Sequence, residues 1–309
     1  MPYDLSEPLV IGISSRALFN LEIENQIFEK EGVDAYSAYQ REHEDDLLQK
    51  GSAFPLVEAF LKLNELQEKN LVEVIIMSRN SPDTSLRIFK SIKEYGLDIT
   101  RAAFVGGADV APYLKAFKTD LFLSAHKKDV AQAVNNNIAA GCIVTGSSHE
   151  NQKVEQIRIA FDGDAVLFSA DSERIYQQEG MQAFMEYEQT HAKEPMLKGP
   201  FANFLMTLSD IQKLFKTREE SPIRTALVTS RNAPAHERAI RTLRNWNVRI
   251  DEAFFLGGVQ KKEILSAFGA HIFFDDQEVH TDPASEVVAS AVVPYRDGDD
   301  PHAEVTSPS

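Results

Sequence analysis

The chain has 309 residues and a formal net charge of −15, which excludes nucleic acid or an anionic membrane surface as its expected main partner. Its single cysteine, Cys142, excludes a disulfide within the chain and a cysteine-rich zinc or iron–sulfur site. The sequence has no basic segment followed by a long apolar one and no run near the roughly 18 apolar residues of a membrane span, so we expect a cytoplasmic protein.

The first half of the chain contains segments that recur in the second half. Three of them return in the same order, with offsets of 148, 152 and 151 residues, as Glu24–Tyr36 and Ser172–Phe184, Ile76–Pro82 and Val228–Pro234, and Phe104–Gly107 and Phe255–Gly258. Each match is weak by itself, but the shared order and nearly constant spacing indicate an internal duplication. We therefore predict two lobes of one fold, at residues 1–150 and 151–295.

The second copy shows the elements of that fold most clearly. Its apolar patterns predict, in chain order, a strand at 157–161, helices at 173–188 and 201–215, a strand at 225–228, a helix at 234–246, a strand at 253–256, a helix at 263–268 and a strand at 272–274. This alternation predicts an α/β fold of Rossmann-like lobes with parallel sheets. Residues 296–309 have too little apolar content to fold and are predicted to be a disordered tail.

Polar side chains follow the strands of the second lobe, at the end where parallel sheets bind ligands. In chain order they are Asp162, Asp164, Thr229, Ser230, Lys261, Asp275 and Asp276. Carboxylate oxygens are ligands that Mg²⁺ prefers. An ammonium group and hydroxyls can neutralise and orient phosphoryl oxygens in a transition state. This set of side chains predicts a site that handles phosphate esters with a metal ion.

The segments that carry these residues resemble the four motifs of the haloacid dehalogenase superfamily: DGDAV at 162–166, VTSR at 228–231, Lys261, and FFDDQ at 273–277. The longer stretches around them, such as RIAFDGDAVLFS at 158–169 and IDEAFFLGG at 250–258, resemble more narrowly the type I cytosolic 5′-nucleotidases, over most of residues 155–295. The resemblance implies a haloacid-dehalogenase-type fold for both lobes. It also implies Mg²⁺-dependent hydrolysis of nucleoside 5′-monophosphates, with AMP or a related purine nucleotide favoured.

The resemblance further implies a role for each polar residue. Asp162 would attack the phosphorus atom and become a phosphoaspartate, while Asp164 would protonate the departing oxygen and then activate water. The implied ligands of the metal ion are Asp162, Asp275, Asp276 and the backbone carbonyl of Asp164. The implied ligands of the phosphate are Thr229, Ser230 and Lys261. Lys262 is the alternative to Lys261.

The segment from about residue 170 to 221 lies between the first and second motifs, where this superfamily inserts a cap over the substrate. Its helical periodicity and its loop Lys198–Asn203 fit a helical cap, whose closure would exclude water from the phosphoryl group. Within that loop, Phe201 and Asn203 are the candidates for contact with a nucleobase.

The first lobe lacks every proposed catalytic side chain. At the same offsets it has Ser14, Arg16, Met77, Val110, Ser124 and Ala125 in place of Asp162, Asp164, Thr229, Lys261, Asp275 and Asp276. The Ser-Arg-Asn and Gly-Gly sequences of the two lobes nevertheless match. We therefore predict that residues 1–150 form a degenerate, non-catalytic lobe that shapes the nucleotide pocket or binds a regulatory nucleotide.

Ordinary structural roles stay open for each motif considered alone. Asp-Gly-Asp is a frequent turn, Asp275-Asp276 can end a strand or cap a helix, and lysines are usually solvated. Two other functions are also open: a phosphatase of sugar phosphates or other small phosphorylated metabolites, and a non-catalytic nucleotide-binding sensor. The sequence is compatible with a homo-oligomer.

Overall fold

The structure, a computed structural model, describes residues 4–144 and 156–301 and divides into two compact units, Met1–Ile157 and Arg158–Ser309. Each unit alternates strands with helices, so the predicted α/β, Rossmann-like class is confirmed. The boundary predicted between residues 150 and 151, and residues 302–309 of the predicted tail, lie outside the described residues. None of the described helices combines the length and the apolar composition needed to cross a bilayer.

The first unit is built on a parallel sheet and a short antiparallel pair of strands. Its described strands are β1 (Leu9–Ile13), β2 (Phe19–Asn20), β3 (Gln49–Lys50), β4 (Val72–Ser78), β5 (Arg101–Phe104), β6 (Leu121–Ser124) and β7 (Ala139–Ile143). The sheet order is β7-β6-β1-β4-β5, and β2 pairs with β3. The helices are α1 (Ser15–Leu18), α2 (Glu22–Glu42), α3 (Phe54–Lys62), α4 (Leu86–Glu94), α5 (Ala111–Ala116) and α6 (Lys127–Asn135), with 3₁₀ turns at Leu63–Leu66 and Pro82–Thr84.

The second unit contains a sheet of the same strand order. Its described strands are β8 (Ile157–Phe161), β9 (Ile223–Thr229), β10 (Glu252–Phe255), β11 (Ile272–Asp275) and β12 (Ala289–Val292). They lie in the order β12-β11-β8-β9-β10, so the first strand of each sheet is central and is followed outward by the second and third on one side. The helices are α7 (Asp171–Thr190), α8 (Ala202–Lys213), α9 (His236–Asn245), α10 (Lys261–Phe268) and α11 (Glu278–Ala284), with a π-type turn at Gly163–Leu167.

The helices and strands predicted for the second lobe agree with the structure to within two residues at each end. The strand at Ile157–Phe161 has the predicted bounds, and its side chains are largely buried, as expected for a central parallel strand covered on both faces. One small difference affects the site. Helix α10 begins at Lys261 rather than at residue 263, so this lysine is the first residue of a helix.

An aromatic cluster fills the core between the sheet and helix α8. The ring centroids of Phe201 and Phe274 are 4.5 Å apart, and those of Phe161 and Phe204 are 6.2 Å apart. Phe201 is fully buried here, so its side chain exposes no surface for contact with a nucleobase. The reason is that this aromatic side chain, at the start of α8, packs into the core. Helix α8 therefore lies against the sheet, although its sequence lies within the predicted cap.

Helix α7 differs from α8 because few of its side chains are buried: Ser172, Phe184 and Glu188. It is interrupted at Gly180, whose backbone (φ 85°, ψ 179°) lies in a region that only glycine occupies readily. Helix α2 of the first unit is interrupted in the same way at Gly32 (φ 86°, ψ −175°). Each long helix is thus two shorter helices joined at a glycine.

A second glycine, Gly199, allows the loop before α8 to pack closely against the turn that follows β8. A Cβ atom at Gly199 would lie 2.3 Å from the carbonyl oxygen of Phe168 and 2.5 Å from that of Val166, much too close for any side chain. The Gly199 amide donates to the Leu167 carbonyl at 2.8 Å. In the first unit, Gly51 has an equivalent contact, with its Cβ position 2.8 Å from the Ala17 carbonyl oxygen.

Candidate active site

The carboxyl end of β8 places Asp162 at the edge of the second sheet. The Asp162 amide donates to the Phe274 carbonyl at 2.8 Å, which joins the end of β8 to that of β11. Three residues after Asp162, Ala165 has a φ of 59°, a left-handed conformation that is uncommon for a residue with a side chain. Such strain often accompanies function. The corresponding Ala17 lies in the regular helix α1.

Three carboxylates meet one ammonium group at this edge. Each of Asp162, Asp275 and Asp276 has a carboxylate oxygen within 4.8 Å of the other two. Lys261 Nζ donates to Asp162 Oδ1 at 2.7 Å and to Asp275 Oδ2 at 2.6 Å. All four residues are at most 9% exposed. Residues up to 114 positions apart thus form one buried group, because parallel strands end at the same edge of a sheet.

Burial and the neighbouring charges shift the pKa values of all four residues of this group. Burial raises the pKa of Asp162 to about 7, with a further rise from Asp275 and an opposing effect of Lys261. Burial, followed by repulsion from Asp162 and Asp275, raises the pKa of Asp276 well above its ordinary value. Burial also acts to raise the pKa of Asp275, but Lys261 and His280 outweigh it and the net pKa is lowered. For Lys261, burial acts to lower the pKa, yet Asp162 and Asp275 raise it overall.

The donor atoms of this group fit a divalent cation. Asp276 Oδ2 accepts a hydrogen bond from the Tyr295 hydroxyl, whereas its Oδ1 is buried and has no hydrogen-bond partner among the described residues. Three carboxylates against one ammonium leave a net negative charge. Hard oxygen donors with spare negative charge are the environment that Mg²⁺ prefers.

The Asp164 side chain pairs with an arginine. Arg231 donates to it through Nη2 at 2.6 Å and through Nε at 2.8 Å, in a two-pronged ion pair. Among the described residues Asp164 is therefore not a member of the carboxylate group, and the metal contact implied for its backbone carbonyl stays a prediction.

The remaining predicted residues divide between the site and the surface. Thr229 is buried at the end of β9, and its hydroxyl accepts from the Arg231 amide at 3.3 Å. Ser230 is exposed. Lys262, the rival of Lys261, pairs with Glu286 at 2.5 Å and lies outside the carboxylate group. Asn203 is exposed and accepts a hydrogen bond from Lys198 at 3.1 Å.

Sequence analysis missed Arg231 and Tyr295, which contact predicted residues, and Glu188, which contacts Arg231. Arg231 lies inside the VTSR motif at 228–231, but the motif alone does not indicate its role. Glu188 accepts hydrogen bonds from Arg231 and belongs to a repeated helix whose first copy has Gln40 at that place. No sequence pattern indicated Tyr295.

A small cavity lies beside the site. It is lined by Ala165, Ser169, Lys198, Tyr295, Arg296 and Asp299, among others, and measures about 20 Å³. That is room for about one water molecule. A larger ligand would require this side of the site to open.

Comparisons with known proteins agree with this geometry. The profile of the 5′-nucleotidase family matches residues 1–300. Human cytosolic 5′-nucleotidase 1B is 37% identical over 289 residues, which are 90% of this chain and 47% of that protein. The chain thus spans about half the length of this curated relative. No solved structure gives a significant match.

Proposed function

Because the chain belongs to the 5′-nucleotidase family, we propose that it hydrolyses nucleoside 5′-monophosphates to a nucleoside and inorganic phosphate. The family match confirms the resemblance drawn from the motifs. The observation that carries the proposal is the convergence of Asp162, which follows β8, Lys261, which begins α10, and the Asp275-Asp276 pair at the end of β11. The name of the human relative also leads us to propose a cytosolic location.

Mg²⁺ is the proposed cofactor, held by Asp162 and Asp276 with Asp275 beside them. The unpartnered Oδ1 of Asp276 supports this assignment, since a buried carboxylate oxygen without a partner is costly. Bound there, the ion would offset the negative charge of the phosphoryl oxygens and of the surrounding carboxylates.

In the proposed reaction, a carboxylate oxygen of Asp162 attacks the phosphorus atom of the substrate. An Asp–O–P bond forms, the bond from phosphorus to the ribose 5′-oxygen breaks, and Asp164 donates a proton to that oxygen. A water oxygen then attacks the phosphorus atom while Asp164 accepts a proton from it. Cleavage of the Asp–O–P bond releases phosphate and restores both side chains.

Lys261 and Thr229 are the proposed ligands of the phosphoryl oxygens. Burial of Lys261 strengthens its interaction with any anion that enters, because the surrounding dielectric constant is low. Thr229 lies at the end of β9, next to β8 in the sheet, and its hydroxyl oxygen is 3.1 Å from where a Cβ atom of Gly163, the residue after Asp162, would lie. Ser230, on the exposed side of the same turn, is a further candidate.

The proposed cap is smaller than the sequence suggested. Helix α8 packs on the sheet, so we limit the cap to α7 and the loop that follows, up to about residue 197. Few side chains of α7 are buried, and Met181 is 53% exposed next to the break at Gly180. The exposed stretch of α7 around Gly180 can move without disrupting the core, whereas the end of the helix is held by the buried ion pairs of Glu188. AMP or a related purine nucleotide remains the proposed substrate, as the resemblance implies.

We also propose that the first unit is a duplicated copy without catalytic residues. The shared strand order supports this. Hydrogen bonds of side chains at equivalent positions of the two units support it as well, because a similar fold alone does not require them. The Leu48 amide donates to Ser91 Oγ, and the Met196 amide to Thr242 Oγ1, each at 3.0 Å. A second matching pair joins Arg87 Nε to the Asp46 carbonyl at 2.9 Å and Arg238 Nε to the Glu194 carbonyl at 3.0 Å.

The proposal is tested by phosphate release from a panel of nucleoside monophosphates, sugar phosphates and other phosphorylated metabolites. The full chain and Asp162→Asn are compared, each with and without Mg²⁺. We expect release from nucleotides only with Mg²⁺ and only from the unmodified chain, with Asp162→Asn folded by circular dichroism. Faster release from sugar phosphates would replace the substrate assignment. Nucleotide binding without any release would indicate a sensor instead.

A further inference from the structure

The proposed acid, Asp164, is joined to helix α7 through one buried arginine. The Arg231 side chain is 1% exposed and donates to both oxygens of Asp164, whose side chain is 14% exposed. Its remaining terminal nitrogen, Nη1, donates to Glu188 near the end of α7. The guanidinium also lies 5.4 Å from the ring centre of Phe184 and 5.9 Å from that of Phe168. Arg231 is therefore held on several sides.

Glu188 completes the group and balances its charge. Its side chain is fully buried and accepts from Arg238 Nη1 at 3.0 Å and from Ser172 Oγ at 2.7 Å, in addition to Arg231. Two carboxylates and two guanidinium groups together are neutral, which is the condition under which buried charges are tolerated. The residues that meet here come from the turn after β8, the turn after β9, and helices α7 and α9.

We propose that Arg231 is a positioning residue that holds the Asp164 carboxylate in place for the hydrolysis proposed above, and that Glu188 acts through Arg231 by fixing its guanidinium. A planar guanidinium that binds both oxygens of a carboxylate fixes its plane and direction, which a single hydrogen bond does not. Proton transfer depends on such placement, because a shift of about 1 Å in a reacting group can cost roughly 10²-fold in rate.

The first unit provides an internal comparison. Arg79 occupies the place of Arg231 in the repeat, but it donates to the Gly107 carbonyl at 2.8 Å and lies 3.5 Å from Asp129. The places of Asp164 and Glu188 are taken by Arg16 and Gln40. Asp164 and Glu188, the two carboxylate partners of Arg231, thus have no acidic counterpart at the equivalent positions of the first unit.

The leaving group of the substrate distinguishes positioning of the acid from a general structural role. A ribose 5′-oxygen is a poor leaving group that needs a proton, whereas p-nitrophenolate departs without one. Loss of a correctly placed acid should therefore slow nucleotide hydrolysis much more than p-nitrophenyl phosphate hydrolysis. General damage to the site should slow both equally.

The test measures kcat/KM for the nucleotide and for p-nitrophenyl phosphate in Arg231→Gln and Glu188→Gln. For Arg231→Gln we expect a loss of about 10²-fold for the nucleotide and of less than about fivefold for the aryl ester. Glu188→Gln keeps a hydrogen-bond acceptor for Arg231 and should show a smaller loss in the same direction, in kcat rather than KM. If Arg231→Gln does not fold, Arg231→Lys, which keeps the buried charge but cannot bind both oxygens, carries the same comparison.

Two matched arginine variants serve as controls. Arg238→Lys keeps a cationic partner for Glu188 and does not touch Asp164 or Arg231, so the ratio of the two kcat/KM values should stay unchanged. Arg79→Gln alters the equivalent arginine of the first unit and should change neither value. Equal losses for both substrates in Arg231→Gln or Arg231→Lys would overturn the inference while leaving the proposed function intact. An unmodified chain that hydrolyses the aryl ester but no nucleotide would instead contradict the proposed function.

Discussion

Asp276→Asn is expected to make the metal-free protein more stable while it abolishes hydrolysis. Asp276 is 9% exposed, and one of its oxygens lies within 4.8 Å of oxygens of both Asp162 and Asp275. The substitution removes one of three crowded negative charges. The amide has nearly the same shape, and its oxygen can still accept the hydrogen bond from Tyr295. The stabilisation arises because a group suited to a cation is unfavourable without one.

The size of the effect follows from the distances. With an effective dielectric constant of about 20, two like charges 4.8 Å apart repel by about 3.5 kcal/mol. Two neighbours would double this repulsion, but attraction to Lys261 opposes it. The raised pKa of Asp276, caused first by burial and then by Asp162 and Asp275, relieves more of it through protonation. We therefore expect a net gain of about 1–3 kcal/mol in the free energy of unfolding.

Urea denaturation in EDTA measures this gain, and the single tryptophan of the chain, Trp246, reports on the second unit by fluorescence. Mg²⁺ at ten times its dissociation constant should stabilise the unmodified protein by about 1.4 kcal/mol and leave the variant unchanged. Asp282→Asn, on the exposed surface of α11, is the matched control and should alter neither quantity. A variant that is less stable in EDTA, or that keeps the Mg²⁺ effect, would refute the reasoning.

Other substitutions test neighbouring parts of the structure. Lys261→Met leaves buried carboxylates uncompensated, so urea denaturation should show a loss of about 3–5 kcal/mol in the free energy of unfolding that Mg²⁺ partly restores. Lys262→Met should leave the free energy of unfolding unchanged, and an equal loss in the two variants would contradict the assignment of Lys261. Thr229→Val should lower kcat/KM by about 10²-fold without altering the circular dichroism spectrum, as expected for loss of one phosphoryl ligand; unchanged kinetics would remove Thr229 from the site. Burial, then Arg158, lowers the pKa of His271 to about 4 from an ordinary 6.5, so the unfolded chain binds more protons between these values. Stability should thus fall by roughly 2 kcal/mol as the pH drops from 6.5 to 4, with partial exposure taken into account, and His271→Gln should abolish that fall.

Most of the carboxylate group could be predicted from the sequence because its members follow strands. Asp162 and Asp275 come directly after apolar runs, and parallel topology brings such positions to one edge whatever their separation along the chain. The sequence favours Lys261 over Lys262 only because its spacing from Gly257-Gly258 resembles that of the family. The start of α10 supplies the physical reason, since it places Lys261 against the carboxylates and Lys262 against Glu286.

The buried ion pairs and the cap could not be predicted in the same way. Glu188 lies on a helix that is interrupted at Gly180. The 3.6-residue period of a helix does not continue across such a break, so it does not predict which face of the second segment Glu188 occupies. Helix α8 has the apolar periodicity of any helix that buries one face, so the pattern does not tell a core helix from a cap helix. Tyr295 reaches Asp276 from the loop after the last strand, where no periodic pattern operates.

Gly51 and Gly199 are required by the fold, whereas the acids of the second unit are required by the proposed activity. In related sequences these two kinds of residue therefore give different information. At both places a methyl group would collide with main-chain oxygens, a restriction of space that holds whether or not the neighbouring turn carries acids. A relative that retains the glycine but has lost Asp162 and Asp164 would therefore be expected to fold and to lack hydrolysis. When genomes are searched, the glycine should be used to recognise the lobe, and the acids to decide whether that lobe is an enzyme.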